Sequence, residues 1–101
     1  MELSTQRILD IGTQGACGLI ALAAVVKKGA TPMLRYDKSG MNATHAAAKL
    51  DGQMINLGSD DRMVEVSVSE LRRACREDFD PSRLNLQPGE LKAVLHYLEI
   101  V

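Results

Sequence analysis

The longest apolar segment of the chain, residues 19–26, is the clearest helix signal in the sequence. Its residues are apolar on every side of the helix that they would form, which is typical of a helix buried all round. The basic pair at 27–28 suits the negative end of a helix dipole, and Gly29 is a common helix stop. The pattern therefore predicts a central helix that begins near Gly15 or Ala16 and ends with the basic pair.

Shorter apolar segments separated by polar turns predict a small antiparallel sheet. Residues 33–36 favour a strand, and residues 44–50 and 53–57 lie on either side of an Asp-Gly pair at 51–52. An Asp-Gly pair between two such segments is the strongest short-range signal for a hairpin. Residues 63–66, after a second polar turn, predict a third strand of the meander that this hairpin begins.

Residues that cap helices mark the remaining elements. Ser4 predicts the start of a short helix that Gly12 ends, and residues 67–70 form a capping box ahead of another helix. Pro88 suits the first position of a last helix near the C-terminus. Together these elements predict an α+β fold, in which a central buried helix that carries Cys17 packs on a small antiparallel meander, with flanking N- and C-terminal helices.

Composition and charge limit the classes of function. The chain has 101 residues, of which 46% are hydrophobic and 25% charged, which predicts one compact domain over residues 1–101. The net charge is -1, the basic residues are scattered and only 3% of residues are aromatic, so nucleic-acid binding is not expected. No segment resembles a secretion signal or approaches the roughly 20 apolar residues that span a bilayer. We expect a soluble protein without membrane contact, whose localisation and oligomeric state the sequence leaves open.

Cys17 is a candidate nucleophile. It lies between Gly15 and Gly18 at the predicted start of the central helix. A thiolate there would face unpaired backbone N–H groups and the positive end of the helix dipole, so we expect a lowered thiol pKa. The same N–H groups would suit the oxyanion of an acyl transition state. The second cysteine, Cys75, shares a helical face with Leu71 and is expected in the core, and both thiols are predicted to be free.

The predicted hairpin places a histidine beside an amide. A two-residue turn pairs residue 50 with residue 53. Counting outward from there pairs Ala47 with Asn56. His45 and Ala47 point to one face because side chains alternate along a strand, so Asn56 is a diagonal neighbour of His45. We expect Asn56 to hydrogen bond with the ring and to fix its tautomer and orientation.

These residues resemble the papain-like cysteine peptidase superfamily, in which a Cys at the start of a central helix meets a His and then an Asn or Asp on adjacent strands. Cys17-Gly18 and the residues that follow are similar to the cysteine helix of bacteriocin-processing peptidases. His45 and Asn56, with the turn between them, resemble the His strand of small papain-fold toxin domains of bacterial polymorphic toxins. That strand is also similar to the His strand of cell-wall endopeptidases and transglutaminase-like domains. The match covers residues 13–79.

The chain departs from the family pattern at three points. Only 28 positions separate Cys17 from His45, fewer than in most papain-like families. The Gln that serves the oxyanion hole in papain relatives lies several residues before the Cys, whereas Gln14 is nearer than that and Gln6 is farther. Asp60 is an alternative to the amide as orienting residue, since some relatives place a carboxylate further along the chain.

The resemblance implies a papain-like core and a small cysteine hydrolase or acyl transferase, such as a peptidase, deamidase or transglutaminase-like enzyme. In such a triad Cys17 would be the nucleophile, His45 the general base and then acid, and Asn56 the orienting residue. The substrate would be a protein or peptide, and use as a bacterial toxin or effector in a target cell would imply a cognate immunity or inhibitor protein. No cofactor or metal is expected, because Cys17, His45 and Cys75 lack the spacing of metal ligands. The alternative is a non-catalytic interaction module, an inhibitor or adaptor, in which the three residues are incidental.

Overall fold

An antiparallel sheet with helices packed against it forms the molecule, which confirms the predicted α+β class. The computed structural model describes residues 2–13, 15–79 and 85–101. Within these ranges the elements follow one another as α1 (Thr5–Thr13), α2 (Cys17–Lys28), β1 (Thr31–Tyr36), β2 (Ala43–Leu50), β3 (Gln53–Ile55), β4 (Val64–Glu65), α3 (Val68–Glu77) and α4 (Glu90–Tyr97). No single helix in the described part of the chain is long and apolar enough to cross a membrane.

The core lies between the helices and one face of the sheet. Leu34 and Ala46 are paired across β1 and β2, so their side chains share this face. They belong to one buried cluster with Ile11 of α1, Ile20 of α2 and Leu71 of α3. The small side chains of β2 let α2 lie close to the strand, which brings the start of α2 next to the first half of β2.

The hairpin between β2 and β3 has the predicted register. Leu50 pairs with Gln53 and Ala48 with Ile55. The turn residue Asp51 has a φ of 52° and the following glycine a φ of 79°. Positive φ at both central residues matches the strand twist and is the reason that an Asp-Gly pair favours this turn. Since β3 ends at Ile55, the first half of β2 extends beyond it.

The strand β4 lies elsewhere in the sheet than the sequence predicts. The strand order is β3-β2-β1-β4, so β4 does not continue the meander beside β3. It pairs antiparallel with β1 instead, with Leu34 opposite Val64 and Met33 opposite Glu65. The predicted third strand of the meander is therefore wrong in its partner. By joining β1, this segment covers an edge that would otherwise leave backbone groups unpaired.

The central helix α2 ends where the sequence predicts and starts one or two residues after the predicted Gly15 or Ala16. It begins at Cys17 and ends at Lys28, and Gly29 caps it in the left-handed conformation, with a φ of 69°. The expectation that it is buried all round is wrong for its last turn, because the Val26 side chain is 63% exposed. Burial is confined to the face toward the sheet and α3, which includes Ile20.

Of the three remaining helices, α1 and α3 have the predicted caps at their starts, and α4 does not begin where the sequence predicts. The Ser4 hydroxyl accepts a hydrogen bond from the backbone N–H of Arg7, and Ser67 caps α3 in the same way. The last helix begins at Glu90, two residues after Pro88. Gly12 lies inside α1, which ends at Thr13; a Cβ at Gly12 would lie 2.1 Å from the Cδ1 atom of Leu57. The glycine is therefore needed for a close approach between α1 and the segment after β3, and not as a helix stop.

Candidate active site

Cys17 is the first residue of α2, and its sulfur faces backbone N–H groups. The N-cap residue Ala16 makes no side-chain capping hydrogen bond, and the thiol is buried, with 4% exposure. The N–H groups of Ala46 on β2, of Gly18 and of Cys17 itself favour the thiolate and lower the thiol pKa. Burial has the larger effect, however, and raises the pKa of Cys17 above the usual value. The expectation of a lowered thiol pKa is wrong, because loss of water outweighs the helix start.

His45 is held by Asn56, as the hairpin geometry predicts. The ring is 3% exposed, and its Nε2 atom lies 2.5 Å from the Oδ1 atom of Asn56. The same Oδ1 accepts a hydrogen bond of 3.0 Å from the backbone N–H of Gly58. A backbone N–H can only donate, so it fixes which side of the amide is the oxygen. Nε2 of His45 must therefore carry the proton, which leaves the lone pair on Nδ1.

The NH₂ group of Asn56, which carries two N–H donors, is less well satisfied than the oxygen. Its Nδ2 atom is buried and has no hydrogen-bond partner among the residues that the structure describes. The opposite amide orientation would place this NH₂ group against the N–H of Gly58, which is unfavourable. An unsatisfied buried donor lowers the stability of the fold. The two hydrogen bonds that Oδ1 accepts offset this cost and retain the orientation of the Asn56 amide.

Burial makes the imidazole of His45 neutral at physiological pH. Loss of water lowers the pKa of His45, and the positive charge of Arg35 lowers it further, while the hydrogen bond to Asn56 raises it. The thiol pKa of Cys17 is raised at the same time. The resting pair is therefore a thiol and a neutral imidazole, and not a thiolate and an imidazolium.

Three segments converge where His45 lies. A Cβ placed on Gly58 would be 3.5 Å from Nε2 of His45 and 3.2 Å from Cγ2 of Thr13, the last residue of α1. The ring thus lies near the end of α1, while the sulfur of Cys17 meets the N–H of Ala46, the residue after the histidine. No hydrogen bond joins this sulfur to the ring within the described ranges. The structure brings His45 and Asn56 together directly, and brings Cys17 to the strand that carries the histidine.

The structure distinguishes between the candidates for the residue that orients His45 and describes one of the two candidates for the oxyanion hole. Asn56, and not Asp60, is hydrogen bonded to the ring, and Asp60 is exposed. Gln6 lies on the surface of α1, where its Nε2 donates to Asp10 over 2.8 Å. Gln14, the other candidate for the oxyanion hole, lies outside the described residues.

The second thiol lies near the first. Both cysteines are free, and Cys75 is half-buried, which is less than the predicted core position. A Cβ on Gly18 would be 2.8 Å from the Sγ of Cys75, so this thiol lies against the start of α2. Burial and the neighbouring Cys17 both raise the pKa of Cys75. His96 is exposed on α4, and no group of three or more potential metal ligands occurs in the described part of the chain.

Arg35 belongs to the site although the sequence reasoning missed it. It lies on β1 directly opposite His45. The loop between β1 and β2 has no two-residue turn to fix a register, so this pairing could not be counted from the sequence. A basic residue inside a predicted strand was the one available signal.

The site is closed. The largest cavity described, of about 520 Å³, lies between the N-terminal segment and α4 and is lined by Ile8 and His96 among others. A second, of about 340 Å³, lies beside α3. None of the four described cavities is lined by Cys17, His45 or Asn56. A substrate would therefore have to open the site.

Comparisons of this chain with protein-family models, curated proteins and solved structures find no match. Function is therefore inferred from the local chemistry of Cys17, His45, Asn56 and their neighbours.

Proposed function

We propose that this protein is a small cysteine hydrolase or acyl transferase in which Cys17 is the nucleophile, His45 the general base and acid, and Asn56 the orienting residue. The observation that carries the proposal is the hydrogen bonding of Asn56, whose Oδ1 accepts from both His45 and Gly58. It leaves the lone pair on the one ring nitrogen that is free to take a proton from the thiol. A structural histidine on a strand does not require this tautomer.

Attack on a carbonyl begins from the neutral pair. Nδ1 of His45 takes the thiol proton as the sulfur of Cys17 forms a bond to the carbonyl carbon, and the carbonyl oxygen becomes an oxyanion. The hydrogen bond to Asn56 stabilises the imidazolium that forms. In the free protein such catalytic contacts are often long and shorten only when the substrate binds.

The second half of the reaction returns the proton. The imidazolium of His45 donates its Nδ1 proton to the leaving group as the carbon–leaving-group bond breaks, which leaves an acyl thioester on Cys17. Water, or an amine in a transferase, then attacks the thioester while His45 takes its proton. The carbon–sulfur bond breaks as His45 gives this proton to the sulfur, which releases the product and restores the thiol of Cys17. The backbone N–H groups of Gly18 and Ala46, which lie against the sulfur, are the donors available to stabilise the negative charge.

The proposal is tested by acylation with p-nitrophenyl acetate near pH 7.5. We expect release of p-nitrophenol and an acetyl group on Cys17, located by mass spectrometry of peptides. His45→Ala should slow the acylation by about 10²-fold or more, because it removes the general base. Cys75→Ser should change the rate little, which makes it the matched control. Equal acylation of both thiols, or a rate unaffected by His45→Ala, would contradict the proposal.

A second function has a specific observation in its favour. Cys17 and His45 are 4% and 3% exposed, and burial raises the thiol pKa, as expected for residues that only pack. A non-catalytic inhibitor or adaptor, with the three residues as a structural unit, would have these features. In the acylation experiment such a protein would react slowly at both cysteines, with no dependence on His45.

The substrate of the enzyme is proposed to be a protein or peptide, and its use as a bacterial toxin or effector is a proposal that rests on the family resemblance alone. Binding of a cognate immunity or inhibitor protein would belong to that use.

A further inference from the structure

Arg35 extends from β1 across β2 toward the segment that holds the histidine ring. It is paired with His45, and directly paired residues share a face of the sheet. Its Nε donates to the hydroxyl of Thr44 and its Nη1 to the backbone carbonyl of Ser59, each over 3.3 Å. Thr44 precedes His45, and Ser59 follows the Asn56–Gly58 segment. The guanidinium therefore lies between two segments that border the candidate site.

The positive charge of Arg35 has no carboxylate partner in the described residues. The three ion pairs found there join Arg7 to Glu90, Arg62 to Asp61 and Arg73 to Glu77. The two acceptors that Arg35 does contact are neutral oxygens, and a guanidinium has five N–H donors in a planar fork. A half-buried charge that meets only neutral acceptors is incompletely compensated.

The charge of Arg35 acts on both reacting groups. Burial has the larger effect, raising the pKa of the Cys17 thiol and lowering that of His45, and the charge of Arg35 lowers both pKa values by a smaller amount. Arg35 is paired directly with His45, and the backbone N–H of the next residue, Ala46, faces the sulfur of Cys17. An anionic group on a substrate that approached Cys17 would therefore meet a guanidinium with free donors.

We propose that Arg35 is a specificity-determining residue, which binds a carboxylate of the substrate next to the carbonyl that Cys17 attacks. The substrate class is an acyl compound or peptide with a carboxylate beside the reacting bond, from an acidic side chain or from a chain terminus. This inference rests on the proposed function, since it assigns a substrate class to the same site. An Arg–carboxylate pair is often bidentate, which supplies orientation as well as attraction.

The test compares two alkylating reagents of the same shape on Cys17. Iodoacetate carries a carboxylate and iodoacetamide a neutral amide, and each forms a bond from carbon to the sulfur as iodide leaves. In a Cys75→Ser background we expect the ratio of the iodoacetate rate to the iodoacetamide rate to fall about tenfold in Arg35→Met. Arg35→Lys, which keeps the charge and loses the fork, should retain part of the ratio.

A control variant and a salt titration accompany the comparison of the two reagents. Arg72→Met removes an exposed charge on α3 and should leave the ratio unchanged. In the Cys75→Ser protein that retains Arg35, raising the ionic strength from about 0.02 M to about 0.5 M should lower the ratio of the two rates, because salt screens the attraction between Arg35 and iodoacetate. This salt dependence tests the inference even if Arg35→Met does not fold. A ratio that neither Arg35 variant nor salt changes would overturn it.

Larger probes distinguish the two sources of the carboxylate. Bromoacetyl-glutamic acid amide offers a side-chain carboxylate, bromoacetyl-glycine a terminal one, and bromoacetyl-glutamine amide none. An Arg35-dependent preference for either of the first two probes supports the inference and identifies the source, whereas equal rates for all three contradict it. The proposed function fails separately, if His45→Ala leaves the iodoacetamide rate of Cys17 unchanged.

Discussion

At the scale of single residues, hydrogen-bond donors and acceptors determine the arrangement around His45. The backbone N–H of Gly58 orients the amide of Asn56, and the amide in turn determines which ring nitrogen carries the proton. Burial sets the charge of the ring, and burial also sets the charge of the thiol of Cys17. Asn56 thus determines the tautomer of His45, whereas burial has the larger effect on its charge and the hydrogen bond to Asn56 opposes that effect.

The charge state of His45 predicts a pH dependence of stability. Because burial lowers the folded-state pKa of His45 below its usual value of 6.5, the unfolded chain binds a proton more readily than the folded one. The contribution of neutral His45 to the free energy of unfolding is fully present above about pH 6.5. It is lost as the pH falls from there through the folded-state pKa. We expect the free energy of unfolding, measured with urea, to decrease over this interval. His45→Gln should remove that part of the decrease.

Asn56 provides the matched variants for this prediction. Asn56→Ala removes an acceptor that raises the pKa of His45, so the ring should titrate at still lower pH. Asn56→Asp keeps an acceptor and adds a negative charge, which should raise the pKa instead. Proton NMR of the ring Cε1–H of His45 measures both shifts. Identical titration of His45 in both variants would contradict the assigned role of Asn56.

At the scale of elements, the position of the candidate site depends on how α1 meets the segment after β3. Gly12 has no side chain, so the side chain of Leu57 can lie directly against the helix backbone. Leu57 is flanked in the chain by Asn56 and Gly58, which orient the ring of His45. Packing at Gly12 is thereby coupled to the geometry of the hydrogen bonds.

Gly12→Ala should be destabilising although alanine is the better helix former. The gain in helix propensity is about 1 kcal/mol. The added Cβ would overlap the Leu57 side chain, with three of its atoms between 2.1 and 2.8 Å away. Overpacking of this kind costs about 1–3 kcal/mol, so we expect a net loss in the free energy of unfolding. Cys17 acylation should slow as well, because Asn56 moves with Leu57.

A double-mutant cycle separates the overlap from other effects. Leu57→Ala alone should destabilise the protein by lost packing. Combined with Gly12→Ala it should cost less than the sum of the two single changes, because the shortened side chain no longer meets the new Cβ. Strict additivity in urea unfolding would show that the two residues are not coupled.

The sequence predicts those parts of the fold that depend on local signals. The turn at Asp51-Gly52 determines a register, and from the register follows the contact between His45 and Asn56. The partner of β4 could not be predicted, because a strand of two exposed residues carries no pattern that distinguishes one sheet edge from another. Arg35 was missed for the related reason that a six-residue loop between strands fixes no pairing.

The thiol pKa was mispredicted for a different reason. The helix start of Cys17 is visible in the sequence, and its effect on the thiolate has the expected sign. The degree of burial depends on how closely α2 approaches β2 and α3, and that distance is a property of the tertiary structure. Local signals therefore predict that backbone N–H groups neighbour the thiol. They do not predict that burial has the larger effect on its pKa.

At the scale of the whole molecule, a part-buried ion pair joins the first and last helices, α1 and α4. Arg7 on α1 donates through Nε and Nη2 to the carboxylate of Glu90 on α4, over 2.6 and 2.7 Å. The same carboxylate accepts from the backbone N–H of Gln87 over 2.6 Å, and Arg7 also donates to the carbonyl of Asn85. Residues 83 positions apart are thus held together, which places α4 against α1 beside the shared core.

This ion pair predicts a loss of stability in acid. The hydrogen bonds from Arg7 and from the N–H of Gln87 lower the pKa of Glu90 to about 2, from an ordinary value of 4.5. A carboxylate whose folded-state pKa is lowered stabilises the fold above the unfolded-state pKa, and this contribution is lost as the pH falls through about 2. Glu90→Gln should therefore be less stable than the parent protein near neutral pH, and the difference in unfolding free energy should shrink as the pH approaches 2. Glu77→Gln is the matched control, because its pair with Arg73 is exposed and 4.0 Å long and should contribute little. If the Glu90 variant kept a constant deficit across this pH range in urea unfolding, the carboxylate charge would not be what holds α4 to α1.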